Sequence, residues 1–113
     1  MIKKKYRLRA SRHVDRAIRK GVTFNGSVIR VKAFAKRSNS EPSRISVILS
    51  AKKFRTAVSR NLIRRRVKAA FYNYLKTVPG FDLAVFPSTA QDMDFSKIKE
   101  EAQKCFAFLQ SRR

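Results

Sequence analysis

Residues 57 to 75 read AVSRNLIRRRVKAAFYNYL, and from Lys52 through Lys76 the chain contains no acid at all. The chemistry on offer there is that of an anion receptor. Arginine presents a planar fork of donors that matches phosphate oxygens, and an asparagine can hydrogen-bond the same oxygens without adding charge. A helix that needs only solubility normally mixes its charges and places acids four residues from its bases. Unrelieved like charge costs stability, and a polyanion lying along the helix would remove that cost. The stretch therefore reads as a nucleic-acid surface rather than as a merely solvated face.

At roughly 100° per residue, Ile63, Val67, Ala70, Phe71, Tyr74 and Leu75 fall in one sector of this helix. Asn61, Arg64, Arg65, Lys68 and Tyr72 share the opposite sector, and Arg66 falls on the border between the two, where its stem can lie on apolar surface with its head in water. The same helix thus carries a core face and a basic face. Catalytic groups are harder to find. The seven acids, Asp15, Glu41, Asp82, Asp92, Asp94, Glu100 and Glu101, form no evident pair for acid-base work. Asp92 with Asp94, or Glu100 with Glu101, has the spacing to hold a cation, but helix caps and solvated helix faces explain them better. His13, the only histidine, lacks a triad partner and reads as a surface residue, while Cys105, the only cysteine, excludes an internal disulfide and, with a single histidine, a zinc site. Gly21, Gly26 and Gly80 are too scattered to form a phosphate loop.

The 113 residues suit one compact domain, residues 1–113, able to bury roughly two-thirds of the surface its unfolded form exposes. A composition 43% hydrophobic and 11% aromatic is too apolar for a disordered polycation, yet 28 Lys and Arg against 7 Asp and Glu give a net charge of +21. Such a chain needs a polyanionic partner. No apolar run approaches the roughly 18 to 20 residues that cross a bilayer, and no secretory segment follows the basic start, so a cytoplasmic protein with no membrane partner is expected. An organelle transit peptide is disfavoured because MIKKKYRLRASRHVDRAIRKG runs straight into the first helix.

Stepping along the elements, Val14, Ala17 and Ile18 have helical spacing between Ser11, an N-cap, and Gly21, a stop. VTF, Asn25-Gly26 and SVIRVKAFAK predict a hairpin with a tight positive-φ turn. In its longer strand Ile29, Val31, Ala33 and Ala35 face one way, and Val28, Arg30, Lys32 and Phe34 the other. RISVILSA alternates through Ile45, Val47 and Leu49, and Thr56 caps a helix running to about Lys76 that Pro79 and Gly80 close. FDLAVFP has the continuous apolarity of a strand buried on both faces. Asp94 caps a last helix with Phe95, Ile98, Ala102, Cys105, Phe106 and Leu109 in one stripe. The order predicts an α+β fold, a single-domain α-β sandwich with helices packed on a small mixed sheet. Tyr6, Phe24, Phe34 and Tyr72 are the aromatics that, if exposed, suit stacking on unpaired bases of RNA.

In order, YRL, HVDRAIRKG, RISVILSAKK, TAVSRNLIRRRVKAAF and FDLAVF resemble the protein subunit of bacterial ribonuclease P, from about Lys4 to Leu109. The most specific part is the Arg-Asn signature, here Arg60, Asn61, Arg64, Arg65 and Lys68, preceded by Lys52 and Lys53. The resemblance implies a left-handed β-α-β crossover, against the usual right-handed rule. It implies that Arg60, Asn61, Arg64, Arg65 and Lys68 lie along ribonuclease P RNA with Lys52 and Lys53 nearby. It also implies a cleft between the first helix and the sheet that takes the 5′ leader of precursor tRNA. There Val14 and Ile18 stand where family members often carry Phe, and either Lys32 or Phe34 supplies the sheet side. Lys68 keeps the charge of a frequent Arg but not its fork. Catalysis of leader removal, with Mg²⁺, would belong to the RNA, the polypeptide itself holding no metal, and no obligate protein partner is evident. The competing reading is a structural, ribosomal-type RNA-binding protein.

Overall fold

The computed structural model describes residues 3–37, 40–88 and 94–112. Its elements are α1 (Ser11–Lys20), β1 (Val22–Asn25), β2 (Ile29–Ala35), β3 (Arg44–Val47), α2 (Ala57–Thr77), β4 (Phe81–Pro87) and α3 (Phe95–Ser111), after a 3-10 turn at Lys4–Tyr6. The strands form one sheet in the order β1-β2-β4-β3. β4 is antiparallel to β2 and parallel to β3, so the sheet is mixed and β3-α2-β4 is a β-α-β unit. FDLAVFP occupies an interior position because its continuous apolarity fits a strand covered on both sides, and it is buried almost throughout. No helix among the described residues is long and apolar enough to cross a membrane.

Strand alternation divides the sheet into two faces. Ile29, Val31 and Ala33 of β2 join Leu83 and Val85 of β4 and Ile45 and Val47 of β3 in one core with the apolar sides of α2 and α3. Ile63, Val67, Ala70, Phe71 and Leu75 of α2 are buried in it, and Tyr74 stacks on Phe106 with centroids 5.1 Å apart. The opposite face carries Lys32, Phe34, Asp82 and Ala84, set side by side by the pairs Lys32↔Ala84 and Phe34↔Asp82. α1 lies on this face with Ala17 fully buried beneath it. Its close seat depends on Gly21, where a Cβ would come within 2.6 Å of the Ala33 carbonyl oxygen.

Several local expectations are corrected. Thr56 does cap α2, accepting from the Ser59 N–H at 3.1 Å, but Ser11 is the first residue of α1 rather than its cap, and Asp94 makes no side-chain cap bond. Asn25-Gly26 forms no positive-φ turn; among the described residues only Gly80, after α2, has a positive φ, at 95°. The hairpin loop instead wraps around a carboxylate. Glu101 of α3 accepts from the backbone N–H groups of Ser27, Val28 and Ile29, at 2.7, 3.0 and 3.1 Å, and from the Ser27 hydroxyl. A side chain at Gly26 would overlap that carboxylate. Val28 is consequently pulled into the core instead of facing out with Arg30, and Glu101 is buried instead of solvated. Phe95 leaves its stripe and is 38% exposed, Ala35 is exposed at the strand end, and Leu49 packs on the core past the end of β3. Asp92 lies outside the described residues.

Residues 6 to 8 add to the sheet. Arg7 bridges Ile45 in parallel, the Leu8 N–H donates to the Ile45 carbonyl at 2.8 Å, and Tyr6 and Leu8 are buried on either side of Arg7.

Candidate nucleic-acid interface

α2 owes its straight basic face to what holds its other side. With five side chains, four of them large, locked in the core, Asn61, Arg64, Arg65 and Lys68 can only project away from the sheet. They line a surface concavity of about 810 Å³, together with Arg7 and Tyr72. No acid is among the lining residues. The crowding registers at Lys68, whose pKa is lowered first by partial burial and then by the Arg7 and Arg64 charges. A concave wall of forks and one ammonium, too large for a single anion, is suited to several successive phosphates.

Of the signature residues, Arg60 alone does not line the concavity. Its Nη1 donates to the Phe54 carbonyl oxygen at 2.7 Å, tying the first turns of α2 to the loop before it. Phe54 is buried, and its N–H donates to the Ser50 carbonyl at 2.9 Å, so the loop carrying exposed Lys52 and Lys53 is anchored at its far end. Lys52 and Lys53 do not line the concavity. Arg66 is half-buried and also outside it, as its border position predicts. Arg7 was not foreseen, because its place depends on the pairing of residues 6 to 8 with β3. Alternation offered a signal, since Tyr6 and Leu8 are apolar with a cation between them.

On the other face, Val14 and Ile18 of α1 and Lys32 and Phe34 of β2 are all half-buried. Lys32 and Phe34, two apart, share one face, so the register admits both on the sheet side of the cleft. Phe34 is not bare: the Arg16 guanidinium lies 4.3 Å from its ring centre. Lys32 Nζ donates to Thr23 Oγ1 at 3.4 Å. Below them, Arg30 lies over Phe86 at 5.4 Å, a basic-aromatic pair set by the Arg30↔Phe86 register. Phe86 needed that register to be found, whereas Arg30 was already on the basic face. Of the other proposed stacking aromatics, Tyr6 is buried edge-on to Tyr72 and Phe24 packs on Phe108 at 5.7 Å, which leaves Tyr72 at the concavity wall.

His13 is not a plain surface residue. It is half-buried, with Nδ1 3.4 Å from Arg44 Nη2, beside the buried carboxylate of Asp82. Asp82 is held by Arg44, Arg16 and Lys36. Burial alone would raise its pKa, but the Arg44 bonds, the Lys36 charge and the Arg16 bond prevail and hold it below the usual carboxylate value. Glu101 is likewise depressed, its burial outweighed by the Ser27 hydroxyl and three backbone donors.

Comparison with known proteins agrees with this architecture. A family model for ribonuclease P matches residues 2–110. The ribonuclease P protein component of Cyanothece sp. is 28% identical over 120 aligned positions, covering 92% of each chain. Among solved structures, the RNase P protein of Staphylococcus aureus superposes with a TM-score of 0.75 at 21% identity, over 92% of this chain and 94% of its own. That of Thermotoga maritima gives a TM-score of 0.74 at 24% identity, over 88% and 93%. The two structures share the fold of three helices on a four-stranded mixed sheet. With the family model spanning nearly every residue from the basic start to the last turn of α3, the chain belongs to the ribonuclease P protein-component family.

Proposed function

We propose that the chain acts in the cytoplasm as the protein subunit of a ribonuclease P, binding the catalytic RNA along α2 and the 5′ leader of precursor tRNA between α1 and the sheet. The observation that carries this reading is the concavity of Arg7, Asn61, Arg64, Arg65 and Lys68, which gathers four cations and no acid on a helix fixed by its buried side. Phosphates are what such a surface lacks. Lys52 and Lys53, on their anchored loop, extend the positive surface toward the start of α2. In the cleft, Val14 and Ile18 give an apolar wall, while Lys32, Arg30 and the Arg16 plate over Phe34 give a basic and planar floor for an unpaired strand.

Among the described residues no three His, Cys, Asp or Glu side chains come together. In the proposed complex the Mg²⁺ of the reaction sits on the RNA, as does the cutting chemistry, and the polypeptide supplies charge and position. The test is to add the purified chain to a bacterial ribonuclease P RNA at low Mg²⁺ and measure leader removal from precursor tRNA. Enhanced removal is expected. No enhancement with a closely matched RNA favours a ribosomal-type RNA-binding role, and cleavage by the chain with no RNA present would overturn the assignment of catalysis.

A further inference from the structure

α1 has two flanks, and the apolar wall of the cleft is only one of them. At roughly 100° per residue, Val14 and Ile18 fall to one side of buried Ala17, and His13 and Arg16 fall to the other. On that second flank the helix meets the first residues of β3 and β4. Arg44 grips Asp82 with its fork, Nε to Oδ1 at 3.0 Å and Nη2 to Oδ2 at 2.9 Å, and Arg16 Nη2 adds a contact to Oδ2 at 3.2 Å. Lys36 Nζ lies 3.4 Å from Oδ1 and 3.4 Å from Glu41. Asp82 is fully buried, yet the side chains of Arg44 and Arg16 are 25% and 37% exposed. The carboxylate therefore holds two donors of Arg44 and one of Arg16, while both side chains keep part of their surface exposed. Even with Glu41 offsetting Lys36, two arginines answer to one carboxylate, and positive charge is left over. Arg16 Nε is out of water and has no acceptor.

His13 completes the group. An arginine only donates, so the 3.4 Å approach of Arg44 Nη2 to His13 Nδ1 makes Nδ1 the acceptor and places the proton of the neutral ring on Nε2. That N–H points from the opposite edge of the imidazole. We propose that His13, Arg16 and Arg44 form a second phosphodiester-binding site, separate from α2 and sharing with the cleft only Arg16, in which Asp82 is the positioning residue that holds the two arginines together. The ligand chemistry is an RNA phosphate, from the leader strand or from the partner RNA. Which RNA supplies it rests on the ribonuclease P reading; the site itself does not.

Charge around the ring gives the site a proton linkage. Burial first, then Arg44, Arg12 and Arg16, lower the His13 pKa, and Asp82 alone raises it, with Lys36 drawing on the same carboxylate. A bound phosphate adds the negative charge that Asp82 cannot supply by itself, so His13 gains affinity for a proton on binding.

Because His13 is the only histidine, its ring resonances are unambiguous in ¹⁵N NMR. In the free protein the neutral ring is expected as the Nε2–H form, and saturation with a short oligouridylate should shift its signals and raise its titration midpoint. A ring that stays unmoved at saturation, or the Nδ1–H form in the free protein, overturns the site whatever the natural RNA. In the assembled system, His13→Ala and Arg16→Gln should each weaken binding about tenfold, the scale of one hydrogen bond to a charged group, with melting temperature checked in parallel. His13→Gln, which keeps a neutral donor, should recover most of the loss. Loss confined to precursor with a long leader assigns the phosphate to the leader, and loss with ribonuclease P RNA alone assigns it to that RNA. Wild-type affinity of both variants for both RNAs overturns the proposal while leaving the α2 reading intact.

Discussion

Along α2, Arg64, Arg65 and Lys68 line a concavity without a single carboxylate, whereas on the other side of the sheet Arg16, Arg44 and Lys36 converge on Asp82. Both regions are basic, but their charge is handled differently. Arg64, Arg65 and Lys68 are placed by the packing of their neighbours, and no acid lines the concavity with them. The cations around Asp82 are tied into the structure, and removing their shared anion strands them. One region should therefore respond to mutation and salt through binding alone, the other through stability as well.

The largest expected effect breaks the second region. Asp82→Ala should cost about 3 to 5 kcal/mol of folding stability, the usual penalty for leaving buried or half-buried charges unpaired, and denaturant unfolding would measure it. A loss below about 1 kcal/mol would show the cluster to be as loosely held as a surface ion pair. Salt tests the first region. With about six phosphate contacts, affinity for the cognate RNA should fall on the order of a thousandfold between 50 and 200 mM salt, and a nearly flat salt dependence would remove the phosphate role of α2.

Smaller effects sharpen the contrast. Arg65→Ala should weaken RNA binding by about tenfold with stability changed by less than about 0.5 kcal/mol, while Arg66→Ala, outside the concavity, should weaken it less. Equal losses would contradict the division of the helix into faces. Acid gives the smallest and most gradual effect. Asp82 and Glu101 both have depressed pKa values in the folded chain. Their contribution is thus fully present above the ordinary carboxylate value near pH 4 and is lost as pH falls through the lowered one. Asp82→Asn should flatten that acid limb in pH-dependent melting.

What the sequence made legible was local. The helical period of α2, the Thr56 cap and the continuous apolarity of β4 are written in neighbouring residues, and each appears in the structure where the pattern placed it. The basic face was legible for the same reason, although Arg60 faced a nearby carbonyl instead of the concavity. Asp82 and Glu101 were not, because their partners are remote: Arg16 lies 66 positions from Asp82, and Ser27 lies 74 from Glu101. A faint signal existed for Glu101, since it sits three residues after Ile98 and four before Cys105, along the edge of the buried stripe. Gly26 misled for a related reason, being small to admit that carboxylate rather than to turn the chain.

The pairing of residues 6 to 8 with β3 has a consequence for self-association. β3 ends the sheet, and an uncovered edge strand is a template for another molecule's backbone. The Leu8 N–H to Ile45 bond and the burial of Tyr6 and Leu8 close part of that template from within the chain. A change that lifts this short segment would subtract Arg7 from the concavity and at the same moment expose a sticky strand in a protein otherwise kept apart by its charge.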